Sequence, residues 1–186
     1  NFAMCLSPAV SPDARWILFD VTPPEGSNDS QILLMKADGQ DARNLCDGLM
    51  PSWSSDGSQF ACSRYEGGTG VWVMNLDGTP EYRIGDGWAA QWSPDGKSIA
   101  YTNDSSLRVF DVDSGKSREV LAKRAHPYTY IYPNMCWSPD SRRLAFKGRL
   151  PDRKEIAIVN MTGEPKLQTA YSTKSVMGSD LSWSPD

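Results

Sequence analysis

Trp92-Ser93-Pro94-Asp95-Gly96-Lys97-Ser98-Ile99-Ala100-Tyr101 is the stretch on which the fold turns. Ser-Pro-Asp-Gly reads as a tight turn: Pro presets φ at the first central position, Asp bonds its own backbone, and Gly accepts left-handed geometry. The apolar run that follows reads as a strand. The corner recurs at Ser11-Pro12-Asp13, Ser54-Ser55-Asp56, Ser138-Pro139-Asp140 and Ser184-Pro185-Asp186, with Asp-to-Asp spacings of 43, 39, 45 and 46 residues. The residue before each corner is Val10, Trp53, Trp92, Trp137 or Trp183, so four of the seven tryptophans share one column. Ser55 stands where the other corners have Pro, and Ala14 and Ser141 where two have Gly. Each departure is expected to weaken its corner by about 0.5–1 kcal/mol.

A period in this range decides architecture. After each corner come "ARWILF", "GSQFAC", "GKSIAY" or "SRRLAF", then a polar loop, then "ILLMKADG", "VWVMNLDG", "LRVFDVDSG" or "IAIVNMTG". Asp38-Gly39 and Asp77-Gly78 predict two-residue hairpins with type I′ turns. A more polar fourth strand, such as "DARNLC" or "SREVLA", precedes the next Trp. Each repeat is therefore a four-stranded antiparallel meander, and the apolar positions on both sides imply sheets covered on both faces. The fold class is all-β: a β-propeller of four-stranded blades, four of them present plus the first strand of a fifth. Asp13, Asp56, Asp95, Asp140 and Asp186 mark the corners, and Trp53, Trp92, Trp137 and Trp183 are expected to pack between blades.

The segment "WSPDGKSIAY" at 92–101, with hairpins such as "VWVMNLDG", resembles the TolB-like propeller repeat, also described as the WD40-like β-propeller repeat. True WD40 repeats fit worse, since this chain has a single His and no Trp-Asp dipeptide. The resemblance covers essentially the whole chain. It implies a bacterial envelope or secreted setting, so a periplasmic or extracellular location. It also implies a blade used in docking scaffolds, in the propeller half of prolyl-oligopeptidase-like enzymes, and in oligogalacturonate lyases. Fold alone does not choose among these.

The chemistry available narrows the choice. A serine hydrolase needs nucleophile, base and orienting acid together; no G-x-S-x-G elbow occurs, and His126 is the one histidine. The resembling lyases hold a divalent metal largely through histidines, which one His does not supply. Cys5, Cys46, Cys62 and Cys136 lack metal-ligand spacing and read as small apolar fillers. No catalytic residue, metal or cofactor is expected. Two loops on one face stand out. "KRAHPYTYIYPN" at 123–134 and "KGRLPDRKE" at 147–155 place His126, Tyr128 and Tyr130 with Arg149 and Arg153 in a basic, aromatic rim, the composition of protein hot spots. Their plainer reading is an edge strand of alternating tyrosines and a surface histidine. The expected function is a non-enzymatic scaffold for a protein or peptide partner. The alternative is the gating propeller of a prolyl-oligopeptidase-like serine peptidase whose hydrolase domain lies outside this chain.

Composition agrees with this and excludes other classes. The net charge of −4 over 186 residues gives no footprint for nucleic acid. No apolar run approaches the ~20 residues of a membrane helix, so no membrane insertion is expected. A secretory leader is not legible before Asn1. The repeats fall at about 6–48, 49–87, 88–132 and 133–178, with a partial unit at 179–186. Residues 1–186 are thus expected to be one propeller region within a larger propeller, with self-association through open edges, including two-fold pairing into eight blades, as a further possibility.

Overall fold

The computed structural model describes residues 4–22, 30–65, 68–178 and 180–185, and every regular element among them is a strand. The chain divides into two compact units, Asn1–Trp92 and Ser93–Asp186. The strands form four antiparallel sheets, each in simple meander order. Sheet one contains β1 (Met4–Val10), β2 (Trp16–Thr22), β3 (Gln31–Lys36) and β4 (Arg43–Asp47). Sheet two contains β5 (Leu49–Trp53), β6 (Gln59–Arg64), β7 (Gly70–Asn75) and β8 (Pro80–Gly85). Sheet three contains β9 (Trp88–Trp92), β10 (Ser98–Asn103), β11 (Ser106–Asp111) and β12 (Lys116–Leu121). Sheet four contains β13 (Tyr130–Trp137), β14 (Arg143–Arg149), β15 (Lys154–Asn160) and β16 (Leu167–Thr173). These are the four blades that the repeat predicts.

The Ser of each corner, which sequence reasoning passed over, proves to be its hub. Ser93 is 1% exposed; its Oγ donates to Asp95 Oδ1 at 2.6 Å and accepts from Ser98 N at 3.0 Å. The carboxylate then accepts from Lys97 N at 3.1 Å, and Gly96 N returns to Ser93 O. Ser11–Asp13, Ser54–Asp56 and Ser138–Asp140 repeat the bond at 2.6, 2.7 and 2.5 Å. Donation from Ser holds the Asp13, Asp56 and Asp140 carboxyls below their ordinary range. The residue after each Asp has positive φ: Ala14 57°, Gly57 71°, Gly96 75° and Ser141 58°. Asp186 lies outside the described residues, and 180–185 pair with no strand among them.

The hairpins between third and fourth strands correct one expectation. Gly39 N bonds Lys36 O and Lys36 N bonds Gln40 O, with positive φ at Gly39 and not at Asp38. That is a three-residue loop, a type I turn followed by one left-handed Gly, and Asn75–Thr79 repeats it. A type I′ turn would need Asp38 left-handed as well. The type I turn instead lets Asp38 Oδ1 accept from Gln40 N at 2.9 Å.

In the first unit the first strand of each following sheet packs against the sheet before it. Within the first unit β5 lies against both β1 and β9. Leu18, Ile32 and Leu34 of sheet one pack with Trp53, Phe60 and Met74 of sheet two. Trp53 Nε1 donates to Ala9 O at 2.9 Å. Within the second unit Trp183 Nε1 donates to Cys136 O, the equivalent carbonyl, at 3.1 Å. Trp92 and Trp137 are 9% and 8% exposed, whereas Val10, in the same column, is 58% exposed.

A second column stands seven residues after each corner Asp: Asp20, Ser63, Thr102 and Lys147, all buried at 7% exposure or less. Asp20 Oδ1 accepts from Met50 N at 3.0 Å, and Ser63 Oγ from Ala89 N at 2.8 Å. Met50 and Ala89 have φ of 54° and 59°, each three residues before its Trp, and Ser7 repeats the conformation at 47°. These residues put a bulge into the first strand and turn its N–H toward the preceding sheet. Lys147 follows the same logic with the polarity reversed, its Nζ donating to Gly178 O at 3.0 Å.

Two outcomes follow. Ala14→Gly relieves left-handed strain at an exposed corner and raises stability by about 0.5–1 kcal/mol, whereas Ser141→Gly gains less because Ser141 Oγ accepts from Asp95 N. Ser63→Ala leaves the buried Ala89 N–H unpaired and lowers stability by about 1–3 kcal/mol. Urea titrations of the three variants read both.

Candidate functional site

The loop at 122–129 feeds β13, and the turn at 150–153 joins β14 to β15, so both stand at one end of sheet four. Register sets the geometry: Tyr130 pairs with Arg149, Arg149 with Lys154, and Gly148 with Glu155. Thr129 clamps the two segments, its N and Oγ1 both donating to Arg149 O at 2.7 and 3.0 Å. Leu150 N bonds Arg153 O and closes the turn. The five residues singled out in the sequence are thus brought together, but they divide into two kinds.

Tyr128 is 4% exposed, its ring edge-on to Phe146 at 5.6 Å. It lies over Gly148, where an added Cβ would come within 2.6 Å of Tyr128 Cε1. Its hydroxyl donates to Glu155 Oε2 at 3.3 Å. Burial and the Glu155 charge push the phenol up to about 12, so it stays a donor. Glu155 is itself buried and accepts from Arg153 Nε at 2.9 Å and Thr169 Oγ1 at 3.0 Å. Burial raises its pKa, but the bonds from Arg153 and Thr169 outweigh that and hold it below the ordinary value. Arg153 is further tied to Asp152 at 3.0 Å. His126 is half-buried: Nε2 meets Ser105 O at 2.8 Å and Nδ1 accepts from Tyr128 N at 3.2 Å. A carbonyl accepts only, so Nε2 carries the proton, and both ring nitrogens are engaged with backbone.

Tyr128 and His126 therefore brace the loop from within, and Arg153, itself partly exposed, ties the turn to Glu155. Tyr130 and Arg149 form the surface. Tyr130 is 44% exposed and rests edge-on against Tyr132 at 5.1 Å, and Lys147 Nζ stands 4.0 Å over the Tyr132 ring. Arg149, directly across the strand pair from Tyr130, is exposed. Sequence alternation treats Tyr128, Tyr130 and Tyr132 alike; only the strand boundary at Tyr130 separates the buried one from the others. The close approach of Gly148 to Tyr128 is the signal missed, a lone Gly inside the apolar strand "LAFKGR".

The four meander sheets with repeated Ser-x-Asp corners accord with the TolB beta propeller domain, whose family model matches residues 2–186. The chain belongs to that family. No curated protein sequence matches it. Among solved structures, TolB from Acinetobacter baumannii is similar at 20% identity and a TM-score of 0.69, over 89% of this chain and 43% of that one. A puromycin-hydrolyzing peptidase from Mycobacterium tuberculosis is similar at 15% identity and a TM-score of 0.67, over 91% of this chain and 31% of that one. The β-propeller domain of the Trilobed protease from Pyrococcus furiosus gives 14% identity and a TM-score of 0.58, over 92% and 57%. These likenesses show the fold. The chain spans less than half the length of the Acinetobacter TolB.

Gly148→Ala forces the buried Tyr128 ring aside and lowers stability by about 1–3 kcal/mol, with a change in near-ultraviolet circular dichroism from the displaced tyrosine. Tyr128→Phe keeps the packing and costs less, about 0.5–1.5 kcal/mol for the bond to Glu155.

Proposed function

We propose that this TolB-family propeller is a non-enzymatic docking module, binding a protein or peptide segment at the Tyr130–Arg149 end of sheet four. One observation carries the reading. An exposed Tyr and an exposed Arg, the side chains that dominate binding energy at interfaces, sit directly opposite each other on paired strands. They stand on a backbone already fixed by Tyr128, Glu155 and Thr129, so little backbone freedom is lost when a partner binds. The planar Arg149 guanidinium suits a partner carboxylate or carbonyl, and the Tyr130 ring an apolar side chain. A periplasmic or extracellular setting is supported by the family. A parent propeller with repeat units beyond those at 6–48, 49–87, 88–132 and 133–178 is supported by the share of the Acinetobacter TolB that the chain spans.

The second reading is the propeller portion of a prolyl-oligopeptidase-like peptidase. The likeness to the puromycin-hydrolyzing peptidase over 91% of this chain supports it. A parent sequence that carries an α/β segment with a nucleophile elbow favours this reading over the first.

Crosslinking of the immobilised chain to bacterial envelope extract tests the docking site. The expected result is a captured partner whose yield falls about tenfold or more in Tyr130→Ala/Arg149→Ala, at unchanged melting temperature. Equal capture by the variant removes this end of sheet four from the function.

A further inference from the structure

We infer that His126 is a proton-operated latch on the docking end of sheet four: its neutral ring holds the loop at 122–129 closed, and a proton on Nδ1 releases it. The consequence for binding rests on the docking site proposed at Tyr130 and Arg149, whereas the latch itself rests on hydrogen bonds. The ring joins two turns. On one side Nε2 donates to Ser105 O at 2.8 Å. Ser105 belongs to the β10–β11 hairpin, where Asp104 and Ser105 have φ of 46° and 66° and Asn103 pairs with Ser106. Left-handed geometry at both central residues is that of a type I′ turn, so the accepting carbonyl is held in place. On the other side Nδ1 accepts from Tyr128 N at 3.2 Å. Thr129, the next residue, is tied to Arg149 O through its N and Oγ1, and Arg149 pairs with Tyr130. One imidazole thus connects the hairpin of sheet three to the strand pair that carries the docking side chains.

An imidazole serves both partners only while neutral, because it must offer one N–H and one lone pair. A proton on Nδ1 turns the acceptor into a donor aimed at the Tyr128 N–H. Two donors then face each other, and the Tyr128 amide loses its acceptor. Turning the ring over offers carbon atoms to both partners and restores neither bond. The bond to Tyr128 is therefore present where the ring is neutral, and is lost as pH falls through the imidazole range, roughly pH 8 to 5.

The charged and titratable groups around the ring leave this response intact. On its own loop, Lys123 Nζ bonds both Asp104 carboxylate oxygens of the hairpin at 2.9 and 2.8 Å, so those two charges offset each other, and Arg124 is exposed. Leading into β13, the Tyr128 ring lies 5.4 Å from the imidazole, and its phenol, pushed up to about 12, keeps its proton throughout. From β14, the Arg149 side chain is exposed. From β15, Glu155 reaches the same phenol, but Arg153 and Thr169 already engage its carboxylate and hold it below its ordinary value, so it stays charged.

A titration from pH 8 to 5 followed by amide proton–nitrogen spectra, with a parallel capture assay, tests the latch. The ring signal of His126 is unambiguous, since the chain has one histidine. The Tyr128 and Thr129 amide signals are expected to move with the same midpoint as that ring. Crosslinked partner from envelope extract is expected to fall about threefold or more between pH 7.5 and 5.5. His126→Gln, whose side chain takes up no proton in this range, is expected to capture equally at the two pH values. Amides that stay still while the ring titrates overturn the latch. Capture that does not fall in the native chain, or falls as steeply in His126→Gln, overturns its control of docking. Capture by Tyr130→Ala/Arg149→Ala equal to the native chain's at pH 7.5 is the separate failure of the docking site, and the amide titration then decides the latch by itself.

Discussion

A buried side chain that reaches from the second strand of one sheet to a backbone N–H in the first strand of the next is the bond on which this architecture depends. Asp20 to Met50 and Ser63 to Ala89 are its two instances in the first unit. Apolar contact between sheets is non-directional and would tolerate sliding by a residue. A hydrogen bond to one N–H does not, because slipping leaves a buried polar pair unmatched at a cost of several times what the bond contributes net. The Trp column fixes the same registration from the other side: the Trp53 indole finds the Ala9 carbonyl, and the Trp183 indole the equivalent Cys136 carbonyl. Packing supplies the attraction between sheets, and these directional bonds supply its alignment.

The corners obey the same economy. A chain reversal buries Ser93 and Ser138 almost completely, and a buried hydroxyl must be bonded. The Ser-to-Asp bond and the return from the backbone satisfy it without help from another sheet. The buried hydroxyl of each corner is therefore satisfied locally, and the corner tolerates Ser55 for Pro or Ala14 for Gly. The bonds between sheets have no such local substitute.

The sheet count, strand order and corner positions were legible in the sequence, because Ser-Pro-Asp and Trp recur in register and hairpin sheets need only local pairing. The hairpin type was misjudged because Asp38-Gly39 fits both a two-residue turn and a three-residue loop, and the difference lies in the φ of Asp38 alone. The left-handed bulges at Ser7, Met50 and Ala89 were not legible, since nothing in those side chains favours that conformation. Their partners were: one polar residue at a constant offset from each corner Asp, in an otherwise apolar strand, is a signal a reader alert to buried polar columns would find. At the docking end, grouping His126, Tyr128, Tyr130, Arg149 and Arg153 needed only loop lengths. Sorting the braces from the surface needed Gly148 and Glu155, whose roles depend on cross-strand neighbours.

The bulges carry a thermodynamic meaning for the array. A non-glycine residue in left-handed conformation costs on the order of 1–2 kcal/mol, and at Met50 and Ala89 the acceptor that offsets it is supplied by the preceding sheet. Each sheet by itself is thus poorer than its own sequence would make it, and good only beside its neighbour. In the language of one-dimensional cooperative chains, the intrinsic term per repeat is lowered and the nearest-neighbour coupling raised. Such a chain melts in longer blocks than its repeat length, so sheet one and sheet two are built to fold, and to come apart, together.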